Sequence, residues 1–307
     1  MKKECILCSH KSEFIYSLKN YRILQCQSCK TCFVENMPSE QELNEFYNGF
    51  KYCINEENKK LIINKKFEKW FKSFNLPQNA KMLDIGGGNG YFSLAFETFG
   101  IGKATYIDLD PTACKYVETL GINKVINDDV KNLANHSNEK YDFIYSRHVI
   151  EHLPNPLVLI DEPIKLLSDD GVFVLQLPNG MSLERLTDFN HKKQRIGMLR
   201  ESNNFTEKEI EKILHSSKTA FDLVPPRHLW AFSIKGLKEY LSKNDSIEFE
   251  ITTESIMDEV YSPFMGQQRF SNFKLKKVIK PIKDFMRTIF SIPYGRAHIV
   301  VKIKKRK

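Results

Sequence analysis

Nowhere does the chain read Gly-x-x-x-x-Gly-Lys-Ser/Thr, the loop that cradles nucleotide phosphates, so a P-loop nucleotidase is excluded. Nor does it hold an apolar run of the ~20 residues a helix needs to cross a bilayer. It opens Met1-Lys2-Lys3-Glu4 without the apolar stretch of a secretory signal, which leads us to expect a cytoplasmic protein in a reducing setting. Internal repeats and low-complexity linkers are missing too. What remains, at 307 residues, is room for one full α/β domain and a small addition.

What the chain does have is concentrated. Leu83-Asp84-Ile85-Gly86-Gly87-Gly88-Asn89-Gly90-Tyr91-Phe92 joins an apolar run to an aromatic-rich helical pattern through Asp84 and the alternating Gly86, Gly88 and Gly90. Glycines at a strand-to-helix turn adopt positive φ without penalty and let a ligand approach the backbone. The spacing is tighter than the Gly-x-Gly-x-x-Gly of dinucleotide-binding turns. Ala104-Thr105-Tyr106-Ile107-Asp108 reads as a second strand ending in an acid, eighteen residues beyond Gly90. A carboxylate there can accept hydrogen bonds from both ribose hydroxyls of a nucleoside lying across the strand ends. Thr112 to Leu120 reads as a helix stopped at Gly121, and Lys124 to Asn127 as a third strand followed by Asp128-Asp129-Val130. Tyr141 to Ser146 is a fourth strand, Leu157 to Leu167 a helix, and Val172 to Leu177 a fifth strand introduced by Asp169-Asp170-Gly171. Ala297 to Ile303 reads as the last strand. Strands alternating with helices argue for a parallel sheet with its ligand outside the carboxyl ends.

This run, over about residues 79 to 180, resembles the class I S-adenosylmethionine (SAM)-dependent methyltransferases, whose first motif has the Asp-x-Gly-x-Gly-x-Gly form. The resemblance implies an α/β fold with a Rossmann-like, mostly parallel sheet of seven strands, and SAM as cofactor. It implies Asp108 at the ribose and Asp129 at the adenine amino group. Asp84, Gly86, Gly88, Gly90, Val130 and Ser146 complete the implied cofactor set.

Five of the seven cysteines fall in the first thirty-two residues. Cys5-x-x-Cys8 and Cys26-x-x-Cys29 have the spacing of a four-thiolate zinc site. A disulfide framework competes, but a reducing setting favours the metal. Cys32 is expected to be a buried small apolar residue, and His10 is a poorly spaced substitute ligand. Zinc ribbons usually place glycine after the second cysteine of each pair, where this chain has Ser9 and Lys30. Residues 1–38 are expected to form the ribbon, 39–78 a helical linker opened by the capping box of Ser39 and Glu42, and 79–307 the enzyme domain. Within the linker a helix runs from about Lys60 to Phe74, and Cys53 and Cys114 are isolated and structural.

Two stretches carry acceptor-side chemistry. His148-Val149-Ile150-Glu151-His152-Leu153-Pro154 follows the fourth strand. It formally matches an inverted zinc-peptidase motif, but that motif needs both histidines on one helix, not a strand-to-helix loop. In class I methyltransferases a similar stretch lines the methyl-donor pocket, and in some quinone O-methyltransferases residues there hold a divalent metal. Pro226-Arg227-His228-Leu229-Trp230-Ala231-Phe232-Ser233 resembles the Pro-x-His-x-x-x-Phe-Ser signature of methyltransferases acting on sugars and other small molecules. That resemblance points to His228 as base, with His152 as substrate holder or alternate base, while Glu151 and His152 can also simply cap and orient the next helix. Residues 180–224, polar and charged, are expected to form a lid over the acceptor.

Residues 274–307 hold nine Lys and three Arg against one Asp, a local +11 in a chain of net charge +8. Apolar residues at helical spacing among these lysines predict a basic amphipathic helix over 265–292. Such a helix packs on its own domain, lies on an anionic membrane, or meets nucleic acid. The arrangement is similar to bacterial methyltransferases with an N-terminal zinc ribbon, which implies a sugar or sugar-nucleotide acceptor, O-methylation ahead of C-methylation, and a place in surface polysaccharide synthesis. An rRNA or tRNA base methyltransferase is the first rival. Against it, Ser146-Arg147-His148-Val149 stands where amino-directed enzymes often carry Asn/Asp-Pro-Pro-aromatic. The second rival is a non-catalytic docking subunit.

Overall fold

Apolar runs that end in an acid or a glycine fold as parallel strands, and the amphipathic stretches between them fold as the crossover helices. The structure is a computed structural model, and it describes residues 3–48, 65–136, 139–182, 196, 200, 206–216, 223–254 and 296–307. Three strands come first: β1 (Ser12–Leu18), β2 (Tyr21–Cys26) and β3 (Cys32–Val34). Helices α1 (Glu40–Asn48) and α2 (Lys65–Lys72) follow. Next come β4 (Ala80–Ile85), α3 (Tyr91–Thr98), β5 (Gly102–Asp108), α4 (Pro111–Thr119) and β6 (Lys124–Asn127). A 3-10 turn (Val130–Asn132) and α5 (Leu133–His136) lead to β7 (Tyr141–Arg147). A second 3-10 turn (Ile150–His152), α6 (Val158–Leu166) and β8 (Leu167–Pro178) come after it. The remaining elements are α7 (Glu207–Ser216), β9 (Trp230–Ala231), α8 (Ile234–Leu241), β10 (Ile247–Glu254) and β11 (His298–Lys305).

The large sheet has seven strands in the order β10-β11-β8-β7-β4-β5-β6. Strands β4 to β8 run parallel, while β11 and β10 are antiparallel. Alternation sends successive residues to opposite faces. Met82, Phe143 and Tyr145 pack with Phe67, Phe71 and Phe96 on one face. Leu83, Ile85 and Ile144 pack with Leu159, Ile160 and Ile164 on the other. Helix α4 starts where sequence chemistry demands, with Asp110 accepting from the Thr112 N–H at 2.8 Å and Pro111 in the first turn. Its end is Gly121, at φ 75°.

Strand β8 corrects one boundary: it begins at Leu167 and takes in Asp169-Asp170-Gly171, which the sequence places just ahead of the strand. The reason is tertiary. Leu167 pairs with Tyr141 across an irregular register, and Lys305 and Lys307 neutralise Asp169 and Asp170.

The ribbon is not a detached appendage. Its antiparallel sheet runs β1-β2-β3-β9, so its fourth strand comes from the late segment Trp230–Ala231. Cys32 pairs with Ala231 and Phe33 with Trp230. Leu7, Ile23 and Phe33 belong to the same apolar cluster as Leu83 and Ile144. The capping box of Ser39 and Glu42 starts α1. The lid expected over 180–224 falls largely outside the described residues, as do Cys53, the start of the Lys60–Phe74 helix and the whole 265–292 helix.

Candidate active site

Gly86, Gly88 and Gly90 all take positive φ, at 65°, 54° and 66°. Packing makes Gly86 and Gly90 obligatory: a Cβ on Gly86 would lie 2.3 Å from Val149 Cγ2, and one on Gly90 2.6 Å from Val117 Cγ2. Asp84 is buried and accepts from the Ser93 hydroxyl at 2.8 Å, tying the loop to α3. Burial lifts its carboxyl to about 7. Asp108 is buried at the end of β5 and accepts from the N–H groups of Gly88 and Asp110 and from the Tyr106 hydroxyl. Burial pushes its pKa up as well. The single Tyr106 proton is shared with the nearer Gly88 carbonyl at 2.7 Å, so this carboxylate, with about four acceptor positions, retains capacity for a further donor.

Parallel register brings the other expected cofactor residues to the same edge. Asp108 pairs with Asn127 and Ile85 with Ser146. Asp129 caps the 3-10 turn through the Lys131 N–H. Its neighbour Asp128 is consumed inside the protein by Asn132 and His136; these bonds hold Asp128 down at about 2. Ser146 is buried and donates to the Ile85 carbonyl at 3.0 Å. Asn89 Oδ1, inside the glycine loop, is buried and has no hydrogen-bond partner among the described residues.

The acceptor-side residues meet next to this edge. The rings of His152 and His228 lie 4.7 Å apart at 62°. Nδ1 of His152 is 2.8 Å from the Arg227 carbonyl oxygen and 3.2 Å from the Tyr47 hydroxyl. Burial, followed by the neighbouring His228, pushes His152 down to about 3. Glu151 is buried, with Oε1 3.2 Å from His148 Nδ1 and 3.9 Å from His152 Nε2. Donor atoms of Glu151, His152 and His228 all lie within 4.8 Å of one another, a set able to hold a divalent cation.

Sequence reasoning missed Tyr47, which it read as an apolar residue of a linker. Helix α1 instead runs across the strand ends, with Glu40 near Lys131 at 3.6 Å and Tyr47 on His152. An amphipathic helix carries no mark that distinguishes a roof from a linker. Trp230 was also unassigned: its indole donates to the Leu153 carbonyl at 2.8 Å and its ring stacks on Phe33 at 5.1 Å.

A family model described as a methyltransferase domain matches residues 56–245, more than half the chain. The chain belongs to this methyltransferase family. By its glycine loop and seven-stranded sheet it is a class I, SAM-dependent methyltransferase. It is similar to the ubiquinone biosynthesis O-methyltransferase of Actinobacillus pleuropneumoniae serotype 5b (strain L20), at 34% identity over 110 residues, 32% of this chain and 46% of that protein. The ubiquinone biosynthesis O-methyltransferase of Xanthomonas campestris pv. campestris (strain B100) matches at 30% over 105 residues, 33% of this chain and 44% of that protein. The methyltransferase thus spans less than half the length of the curated relatives it matches. Among solved structures, the plantazolicin methyltransferase BamL, in complex with a triazolic desmethyl analogue and SAH, aligns over 88% of this chain and 92% of that one. Its identity is 19% and its TM-score 0.45. A SAM-dependent methyltransferase from Archaeoglobus fulgidus aligns over 88% and 100%, at 18% identity and TM-score 0.45.

The methyltransferase also holds a candidate metal centre. Cys5, Cys8, Cys26 and Cys29 are buried, and their sulfurs all lie within 4.8 Å of one another. Cys5 and Cys29 are 3.7 Å apart, Cys8 and Cys26 3.3 Å. Four zinc–sulfur bonds of about 2.3 Å at tetrahedral angles place sulfurs roughly 3.8 Å apart, so the set fits a zinc ion. Without a cation the thiols resist joint ionisation: the bond to Cys29 raises Cys5, and burial raises Cys8 to about 12. Cys32 stands outside the set as a buried thiol accepting from Gln25. His10 turns its Nδ1 to the Cys8 carbonyl. Ser9 and Lys30 adopt φ of 61° and 66°, which explains why glycine suits those positions.

Proposed function

We propose that this methyltransferase methylates an oxygen of a small, sugar-derived acceptor, with His228 as the base and His152 as its partner. The observation that carries the reading is the His152–His228 pair, 4.7 Å apart, beside the strand ends where Asp108 and Asp129 stand. Asp108 has acceptor capacity left for a ribose hydroxyl. Asp129, together with the Val130 N–H, faces the adenine edge. Gly86, Gly88 and Gly90 bring backbone close to the cofactor, while Asp84 and Ser146 fix the loop from below. Asn89 Oδ1 supplies an acceptor for its ammonium end. When bound, SAM supplies an electrophilic methyl group on a sulfonium, open to in-line displacement.

The chain's own work is placement and proton removal. Burial holds the His152 ring neutral, and with Nδ1 donating to the Arg227 carbonyl its lone pair sits on Nε2. A neutral imidazole can accept an acceptor hydroxyl's hydrogen bond. His228, from the facing loop, takes the proton as the oxygen–carbon bond forms and the carbon–sulfur bond breaks. Support for oxygen comes from the relatives, which are named O-methyltransferases. Support for a sugar comes from the Pro226-x-His228-x-x-x-Phe232-Ser233 resemblance.

The test is methyl transfer from labelled SAM to a panel of sugar nucleotides and phenols, in wild type and His228→Ala. Transfer to a hydroxyl by wild type, lost in the variant with SAM affinity intact, supports the reading. SAM binding without transfer to any hydroxyl overturns it. A second reading rests on the Glu151, His152 and His228 donors: a divalent cation there would orient the hydroxyl, and activity would follow added cation.

A further inference from the structure

The acceptor-side loop is stitched to the ribbon along its whole edge. Leu229 donates its N–H to the Glu151 carbonyl at 2.8 Å and accepts from the Val34 N–H at 3.1 Å. One residue thus joins the ribbon's third strand to the turn bearing Glu151 and His152. Trp230 repeats the connection with a side chain, stacked on Phe33 and bonded to the Leu153 carbonyl. At the far end, the hydroxyl of buried Thr31 bonds to the Ser233 hydroxyl at 3.0 Å and accepts from the Ser233 backbone N–H at 3.2 Å. Thr31 follows Cys29 by two residues, and a Cβ on Gly236 of α8 would sit 3.1 Å from Cys29 Sγ. The cysteine cluster therefore touches the helix that the acceptor loop runs into.

We infer that the four-cysteine cluster, holding a zinc ion, is the positioning device of the acceptor histidines: metal binding fixes β3, β3 fixes Leu229, and Leu229 places His228 against the Glu151–His152 turn. This rests on the acceptor-side role given to those histidines above. The cofactor edge, built on β4, β5 and β6, shares the apolar cluster with the ribbon but pairs with none of its strands among the described residues. Metal occupancy should consequently govern the acceptor half of the site and leave the SAM half alone.

The experiment uses the full chain. Zinc is removed by a chelator, cobalt is substituted to show thiolate charge-transfer bands, and amide hydrogen exchange is followed at Leu229–Ser233 and in β4 and β5. Expected is one thiolate-bound metal per chain, at least tenfold faster exchange in the loop on its removal, unchanged exchange in β4 and β5, and a SAM Kd within threefold of the loaded protein. The same chelation in His228→Ala, which lacks the other donor cluster, should loosen the loop equally. A milder variant keeps the metal: Thr31→Val should speed loop exchange and lower kcat severalfold without changing KM for SAM, and Thr31→Ser should restore both. Loop exchange that ignores metal removal, or that changes only when His228 is present, overturns the inference. So does collapse of β4 and β5 together with the loop. Because exchange needs no acceptor, the inference can fail or stand whether or not hydroxyl methylation is observed.

Discussion

Nδ1 of His152 lies 2.8 Å from the carbonyl oxygen of Arg227. A carbonyl only accepts, so Nδ1 carries the proton and Nε2 carries the lone pair. Nitrogen chemical shifts of His152 should show this single neutral tautomer near pH 7. Replacing His152 by Ala should lower kcat by ~10²–10⁴-fold, the range for a lost acid–base group. His228→Ala should fall in the same range. Calorimetry should give both variants wild-type affinity for SAM; a lost cofactor site in either would place that histidine on the wrong half.

Asp108 should respond differently. Asp108→Ala should weaken SAM binding at least tenfold, about 1.4 kcal/mol, when measured by titration calorimetry. It should also lower the unfolding midpoint, because Gly88, Asp110 and Tyr106 lose their acceptor. Asp108→Asn keeps one oxygen and should fall between the two.

Asp84 predicts a pH effect whose sign is fixed. Burial lifts the folded-state pKa to about 7, against ~3.9 in an unfolded chain. Between those values the folded protein holds a proton that the unfolded one has released. The stabilisation is complete below about pH 4 and is lost as pH rises through 7. Urea midpoints should therefore fall from pH 5 to pH 8 more steeply in wild type than in Asp84→Asn. The Asn variant still accepts from Ser93.

Gly86→Ala should be costly for two separable reasons, a left-handed φ and a clash with Val149. Overpacking costs ~1–3 kcal/mol, and the left-handed backbone about 1–2 more. In a Val149→Ala background the clash part should vanish while the backbone part remains. Denaturant melts of the four proteins would reveal the coupling; strictly additive losses would refute the clash.

The ribbon offers a gain instead of a loss. Ser9 and Lys30 pay for positive φ without the freedom of glycine. Ser9→Gly and Lys30→Gly should each stabilise the zinc-loaded protein by about 0.5–1 kcal/mol, seen as a higher thermal midpoint.

Much of this was legible because it is local. Lys124–Asn127 forms the expected strand with the same bounds, and Asp84 with its glycines forms the expected turn. The four cysteines converge as their spacing implies. What escaped depends on partners distant in sequence. Trp230–Ala231 has no strand periodicity and is a strand only because Cys32 and Phe33 offer it an edge. Tyr47 becomes a site residue only through the fold's placement of His152. Strand β10 is a different case: Ile247-Glu248-Phe249-Glu250-Ile251 alternates visibly, and that signal was present but unread.

Thr31 and Ser233 are 202 residues apart, and that separation orders the protein's birth. All four cysteines are synthesised well before Ser233, early enough to capture metal while the later part of the chain is still being made. The ribbon's third strand must then wait, its edge unpaired, until Trp230 and Ala231 are synthesised. An exposed strand edge is a template for wrong partners, so the nascent ribbon carries that hazard until β9 arrives. Shortening the chain before Ala231 would strand it there permanently, and a truncated product should aggregate through its first thirty-four residues even with every cysteine correctly filled.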